Sequence, residues 1–219
     1  DDGVILPSSD IIDYAIGGDE GDIIYAVLEL SSGCVEVGHY FDAGDTPLNA
    51  WGNFALVKSD DGGVTWSDIT DNVIDASSLP VFIVEPTAAT DVSLNLVSVA
   101  PDDEGWLAVA GYYDDGVSIA PVPFVVASQD GGSNFTYAHP VEDSTWGTQM
   151  IYTMDMAVSP KVGSIHNIAL AGVATTTVAL GVGAVFRLEA GTWLTGGWED
   201  TRFYPGWDDS SDAVATLFD

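Results

Sequence analysis

The side chains able to do chemistry in this sequence are almost all carboxylates: 26 Asp and 8 Glu, against Lys58, Lys161, Arg187 and Arg202. Two carboxylates about 5–9.5 Å apart across a sugar are the equipment of a glycoside hydrolase. Trp146, Trp198 and Trp207 add flat faces for stacking against a sugar ring, or core for the sheets. With so many acids, no one pair stands out from the sequence. Other reaction types are poorly served. Cys34 is the lone cysteine, so no internal disulfide forms, and with His39 nearby it matches no protease signature. His39, His139 and His166 are isolated and show no zinc-ligand spacing. The Gly-rich stretches carry no phosphate-loop pattern.

Calcium suits the acids better than these other chemistries do. Ca²⁺ takes about six to eight hard oxygens from carboxylates and turn carbonyls. Asp gathers in turns, at 19–22, 42–45, 102–104, 114–116 and 208–212, although without EF-hand spacing. Asp208, Asp209 and Asp212 offer three carboxylates in one loop and are the expected metal site. Simple turn-forming Asp and a solvated acidic surface are the competing reading.

The charge balance is 4 − 34 = −30. Nucleic acid is excluded as a partner, because phosphate binding needs clustered cations. An anionic membrane surface is excluded for the same reason. No apolar run is long enough to span a bilayer, so no direct membrane insertion is expected. A surface this acidic attracts cations and suits a salty or extracellular setting. The chain opens on Asp1 with no leader pattern, which reads as a processed chain or a piece of something longer.

The elements that must position these groups are short and β-like. Strands are expected at 23–30, 54–58, 79–84, 94–100, 106–113, 123–127, 165–174 and 183–188, separated by Gly, Asp, Ser and Pro. No segment carries a clean helical period, so the chain is expected to be all-β. It also repeats. Ser59, Asp61, Gly63, Thr65 and Trp66 close an apolar strand, and Ser128, Asp130, Gly132, Asn134 and Phe135 close another. Gly191, Thr192 and Trp193 keep only the ending of that pattern. The aromatics fall at 66, 135 and 193, and strand–acidic turn–strand units precede each. The unit is a four-stranded antiparallel meander, the building block of a propeller blade. Blades are expected at about 11–75, 95–140 and 152–198, with 205–219 opening a further one. In each turn the Asp accepts turn N–H groups, Gly63 or its counterpart takes positive φ, and the aromatic folds inward.

The Ser-x-Asp-x-Gly-x-Thr-Trp spacing at 59–66 resembles the Asp-box, or BNR repeat, of sialidases, sortilin-type receptors and many bacterial and archaeal surface proteins. The second copy has Asn134 where Thr is expected and Phe135 as its aromatic. The resemblance implies propeller blades with the boxes as structural pins on the periphery. Sialidase activity, which in that family implies three arginines on a substrate carboxylate, does not fit a chain with only Arg187 and Arg202. Asn134-Phe135-Thr136 is also a sequon, so Asn134 is a candidate glycosylation site.

Three blades do not close a ring, which takes about four or more. Self-association, or the remainder of a longer chain, is therefore expected to complete it. The expected function is a non-catalytic extracellular structural protein, a surface-layer, filament or matrix component held by blade packing and cations. The rivals are a sortilin-like ligand-binding propeller and a fragment of a two-carboxylate glycoside hydrolase.

Overall fold

Runs of Val, Ile, Ala and aromatic residues, each ended by Gly, Asp or Ser, fold as antiparallel strands because their side chains pack from both faces of a pleated sheet. The computed structural model describes residues 9–18, 21–30, 54–74, 76, 92–113, 121–138, 141–143, 147–163, 165–175, 181–189 and 197–201. The first sheet holds β1 (Ser9–Gly17), β2 (Ile23–Leu30), β3 (Phe54–Ser59) and β4 (Ser67–Asp68) in that order. A one-turn helix, α1 (Thr70–Ile74), follows. The second holds β5 (Val92–Ala100), β6 (Asp103–Tyr113), β7 (Val122–Ser128) and β8 (Thr136–Tyr137). The third adds β9 (Glu142–Asp143) to the outside of β10 (Thr148–Val158), then β11 (Asn167–Thr175), β12 (Val182–Glu189) and β13 (Glu199–Asp200). The fold is all-β, a stack of antiparallel meander blades of the propeller type, with a five-stranded third sheet where four strands are expected. Among the described residues no helix is long and apolar enough to cross a membrane. The expected strand at 79–84, the third repeat ending at Gly191, Thr192 and Trp193, and the further blade at 205–219 lie outside the described residues.

The sheets stack through their faces. Tyr25, Val27 and Leu56 of the first meet Leu107, Val109, Phe124 and Val126 of the second. The other face of the second, Ala108, Ala110, Val125 and Ala127, receives Ile168, Leu170, Phe186 and Leu188 of the third. Strand β7 is therefore buried at every position, while β11 alternates between buried and half-buried residues, since its other face meets no further sheet among the described residues. Each of these buried Val, Leu, Ile and Phe side chains contributes about 1.5–3 kcal/mol.

The first strands β1, β5 and β10 run side by side, with β5 in the middle. Asp13 Oδ2 accepts the Val97 N–H at 2.8 Å, and Ser98 Oγ accepts the Val158 N–H at 3.0 Å. Each first strand carries a bulge at Ile12, Asn95 or Met154, four residues before Ile16, Val99 or Val158. A second irregularity in β10 falls at Ile151. Opposite two of these bulges stand Gly111 and Gly172.

The two Ser-x-Asp turns share one hydrogen-bond pattern. Ser59 Oγ donates to Asp61 Oδ1 and accepts the Gly63 N–H; Ser128 Oγ does the same with Asp130 and Gly132. Asp61 Oδ1 accepts the Val64 and Thr65 N–H groups, and Asp61 Oδ2 accepts the Thr65 hydroxyl. Asn134 takes the place of Thr65, donating N–H and Nδ2–H to Asp130. Consecutive glycines at positive φ, 71° and 90° at Gly62 and Gly63, and 71° and 85° at Gly131 and Gly132, make the reversal. The aromatics differ. Phe135 is buried between the first two sheets, but Trp66 is only half-buried. Trp66 sits on the first sheet's outer cluster of Ala26, Leu28, Ala55 and Val57 and donates Nε1–H to Gly63 O. The expectation of an inward-turned aromatic is corrected for Trp66, whose side of the stack has no neighbouring sheet among the described residues to close over it.

These turns set an acid limit. The Thr65 N–H and hydroxyl, aided by lesser contributions from the Ser59 hydroxyl and Val64 N–H, hold the Asp61 carboxyl below the usual carboxylate range against the opposing effect of burial. Burial pushes Asp130 up, but the Asn134 side chain and N–H, the Ser128 hydroxyl and the Ser133 N–H outweigh it, and the net direction is down. A folded value below the unfolded one adds stability above the ordinary value of about 3.9, and that stability is lost as pH falls through the folded value. The thermal midpoint is therefore expected to fall with acidification below about pH 4. The double variant Asp61→Asn, Asp130→Asn should melt lower at pH 7 yet change less with acid. Parallel melting curves for the two proteins against pH would contradict this.

Candidate functional site

The three first strands run in the same direction, so their starting ends lie together at one end of the stack. This end carries the polar groups that packing does not consume. Asp10 of β1 pairs directly with Glu29 of β2, and both are exposed. Glu29 shares its face with Val27, two residues away, which packs toward the second sheet. Directly opposed residues have Cβ atoms about 4.5–5.5 Å apart, and like charges at that spacing are destabilising. Among the described residues no cation forms an ion pair with either. The sheet thus bears a cost that packing does not explain.

Next along the arc, Asn95 at the β5 bulge donates Nδ2–H to Thr153 Oγ1 at 2.7 Å, while its buried Oδ1 has no hydrogen-bond partner among the described residues. The Tyr112 hydroxyl meets Thr153 Oγ1 at 2.7 Å and accepts the Thr153 N–H. Tyr112 stacks on Tyr152 with ring centroids 6.2 Å apart and 29° between planes, and Tyr152 is 57% exposed. The end therefore carries an exposed acid pair on β1 and β2 and an open aromatic face on β10. An acid pair transfers protons or attacks carbon, and a ring face receives the apolar side of a sugar.

The residues singled out from sequence are placed elsewhere. Both Ser-x-Asp turns lie at the far end of β3 and β7, away from the starts of β1, β5 and β10. Trp198 is buried and donates Nε1–H to Ala138 O at 2.7 Å, so it packs the core and offers no stacking face. Asn134 is exposed, but its Nδ2, the atom a glycan would occupy, already donates to Asp130. His166 is buried, tilted against Trp106 at 4.8 Å, with Nδ1 at 2.8 Å from Ser159 O. That carbonyl only accepts, so Nδ1 carries the proton. Among the described residues no group of three or more His, Cys, Asp or Glu is placed to hold a metal ion. Asp208, Asp209 and Asp212, Cys34, His39, His139, Trp146 and Trp207 lie outside the described residues. The sequence does not single out Asp10, Glu29, Asn95, Tyr112 or Tyr152, because cross-strand register pairs the first two and sheet stacking joins the other three. An isolated acid at the start of one strand and the end of the next was the only signal available.

No protein-family model matches the chain, and no curated protein matches it. Among solved structures, an α-L-arabinofuranosidase from Lactobacillus brevis is 9% identical with a TM-score of 0.42, the match covering 90% of this chain and 55% of that one. Zg3597, a family 117 glycoside hydrolase from the marine bacterium Zobellia galactanivorans, is 13% identical with a TM-score of 0.36, covering 81% of this chain and 50% of that one. This chain spans about half the length of each. Both are glycoside hydrolases, and the expectation of a non-catalytic surface-layer, filament or matrix component is corrected.

Proposed function

We propose that this chain is part of a two-carboxylate glycoside hydrolase, with Asp10 and Glu29 as the carboxylates. The observation that carries the reading is their direct pairing across β1 and β2, exposed and without a described counterion. Their spacing of about 4.5–5.5 Å at Cβ lets the carboxyl groups reach either side of a glycosidic bond. One carboxyl protonates the leaving oxygen, while the other, ionised, attacks the anomeric carbon or activates water. Tyr152, backed by Tyr112, supports the reading as a platform for the sugar. The two Ser-x-Asp turns are read as Asp-box pins that hold the blades and take no part in the chemistry.

The test is incubation of the chain with p-nitrophenyl α-L-arabinofuranoside, other p-nitrophenyl glycosides and β-glucans, reading nitrophenol and new reducing ends. Turnover of at least one substrate is expected. Absence of turnover across the panel would overturn the proposal.

A further inference from the structure

The described Lys and Arg residues all lie at the end of the stack opposite the acid pair. Lys58 stands near the end of β3 and pairs with Asp60 at 2.8 Å. Arg187 stands near the end of β12 and pairs with Glu199 at 2.9 Å and Glu189 at 3.3 Å. Lys161 follows the end of β10, and its N–H donates to Asp102 Oδ2 at 2.9 Å. The strand starts hold the reverse. Asp10 and Glu29 oppose each other on β1 and β2, and the exposed Glu142 of β9 pairs with Gln149 near the start of β10. An anionic sugar brought to this end meets acids and, among the described residues, no Lys or Arg.

The aromatic face is not beside the acid pair. Asp10 is on β1 and Tyr152 on β10, and β5 runs between these two first strands. Ladder-paired strands already stand about 4.7–4.9 Å apart. These neighbours are joined instead through side chains, Asp13 to Val97 and Ser98 to Val158. Two such steps separate Asp10 from Tyr152 by roughly 10 Å or more, which exceeds the length of one sugar ring. A ring stacked on Tyr152 is therefore not the ring whose bond lies between the carboxyls. Tyr152 is exposed yet held in place. Tyr112 stacks against it, and the Tyr112 hydroxyl and Asn95 Nδ2 both bond the adjacent Thr153 Oγ1. A side chain fixed in this way loses little freedom when a sugar settles on it.

We propose that the substrate is an uncharged glycan chain, several sugars long, lying across the strand starts from β1 past β5 to β10, with a sugar on Tyr152 remote from the bond that is cut. This substrate class presupposes the hydrolase reading above and adds length and charge to it. Length follows from the distance between the aromatic face and the acid pair. Charge follows from where the cations are. A uronate-bearing or sulfated chain would bring like charge to an end with no described Lys or Arg, and the net charge of −30 repels it at longer range. An amino-sugar chain fits the reaction poorly, because an ammonium group beside the pair favours two ionised carboxylates where one must give its proton to the leaving oxygen.

Native gels with polysaccharide embedded in them test this, because retardation reads binding without turnover. The probes are uncharged α-L-arabinan and β-glucan, set against polygalacturonate and dextran sulfate. Retardation by at least one uncharged polymer and by neither anionic one is expected. Retardation by an anionic polymer, or by no uncharged one, would overturn the proposal. Tyr152→Ala should weaken the retardation about three- to tenfold with unchanged circular dichroism, and Tyr152→Phe, which keeps the ring, should restore it. In hydrolysis, the loss in Tyr152→Ala should be larger on a chain than on a p-nitrophenyl glycoside. Equal retardation of the parent and Tyr152→Ala would overturn the path over β10. The two readings fail separately. Retardation that depends on Tyr152 in a protein that hydrolyses nothing removes the hydrolase reading, whereas hydrolysis of chains indifferent to Tyr152 removes only this one.

Discussion

Asp10→Asn and Glu29→Gln are each expected to lower hydrolysis of the best substrate by about 10²–10⁴-fold, the usual worth of a positioned acid or base. Each replacement keeps the shape and the ability to hydrogen-bond while removing the ionisable proton. Because the two act as a unit, the double variant should be scarcely worse than either single one. Stability should move the other way: removing one of two opposed negative charges relieves about 0.2–1 kcal/mol of repulsion. A loss of rate joined to a gain in urea midpoint is a signature that a merely structural pair would not give. Variants with unchanged kcat/KM would remove Asp10 and Glu29 from the reaction.

Gly172→Ala is expected to be the most damaging glycine-to-alanine change among the described residues, costing about 3 kcal/mol, the upper end of overpacking. The added Cβ would overlap the Tyr152 carbonyl oxygen and lie 2.7 Å from Met150 Sδ. That carbonyl belongs to bulged strand β10, pressed onto β11, and it cannot retreat without breaking the register. Gly111→Ala should be comparable, because its Cβ would overlap Ser93 O and meet Phe124 at 2.7 Å. Gly197, with open space around its missing Cβ, is the control, expected within about 0.5 kcal/mol of the parent as Ala. Urea unfolding of the three variants checks this; equal midpoints for Gly172→Ala and Gly197→Ala would contradict it.

These glycines show how far the sequence could be read. The recurring Ala-Gly endings at 110–111 and 171–172 mark the repeat, but the cause, a bulge in the partner strand pushing its carbonyl close, belongs to the pairing. The first sheet has a bulge at the same place yet carries Leu28 there, so no fixed residue signals it. Trp66 and Phe135 close equivalent turns, and their different burial depends on which face has a neighbouring sheet. Trp198, attractive as a stacking surface, is core because its indole finds Ala138 O 60 residues away.

Local rules decided the all-β class, the meander unit and the two Ser-x-Asp turns, since apolar runs, glycines and short polar side chains act on the nearest few residues. The pairing of Asp10 with Glu29, the Asn95–Thr153–Tyr112 contacts and the open end faces were decided only by the tertiary structure. Their partners are brought together by register and by sheet stacking, and a shift of one residue in either would turn each of these side chains to the opposite face.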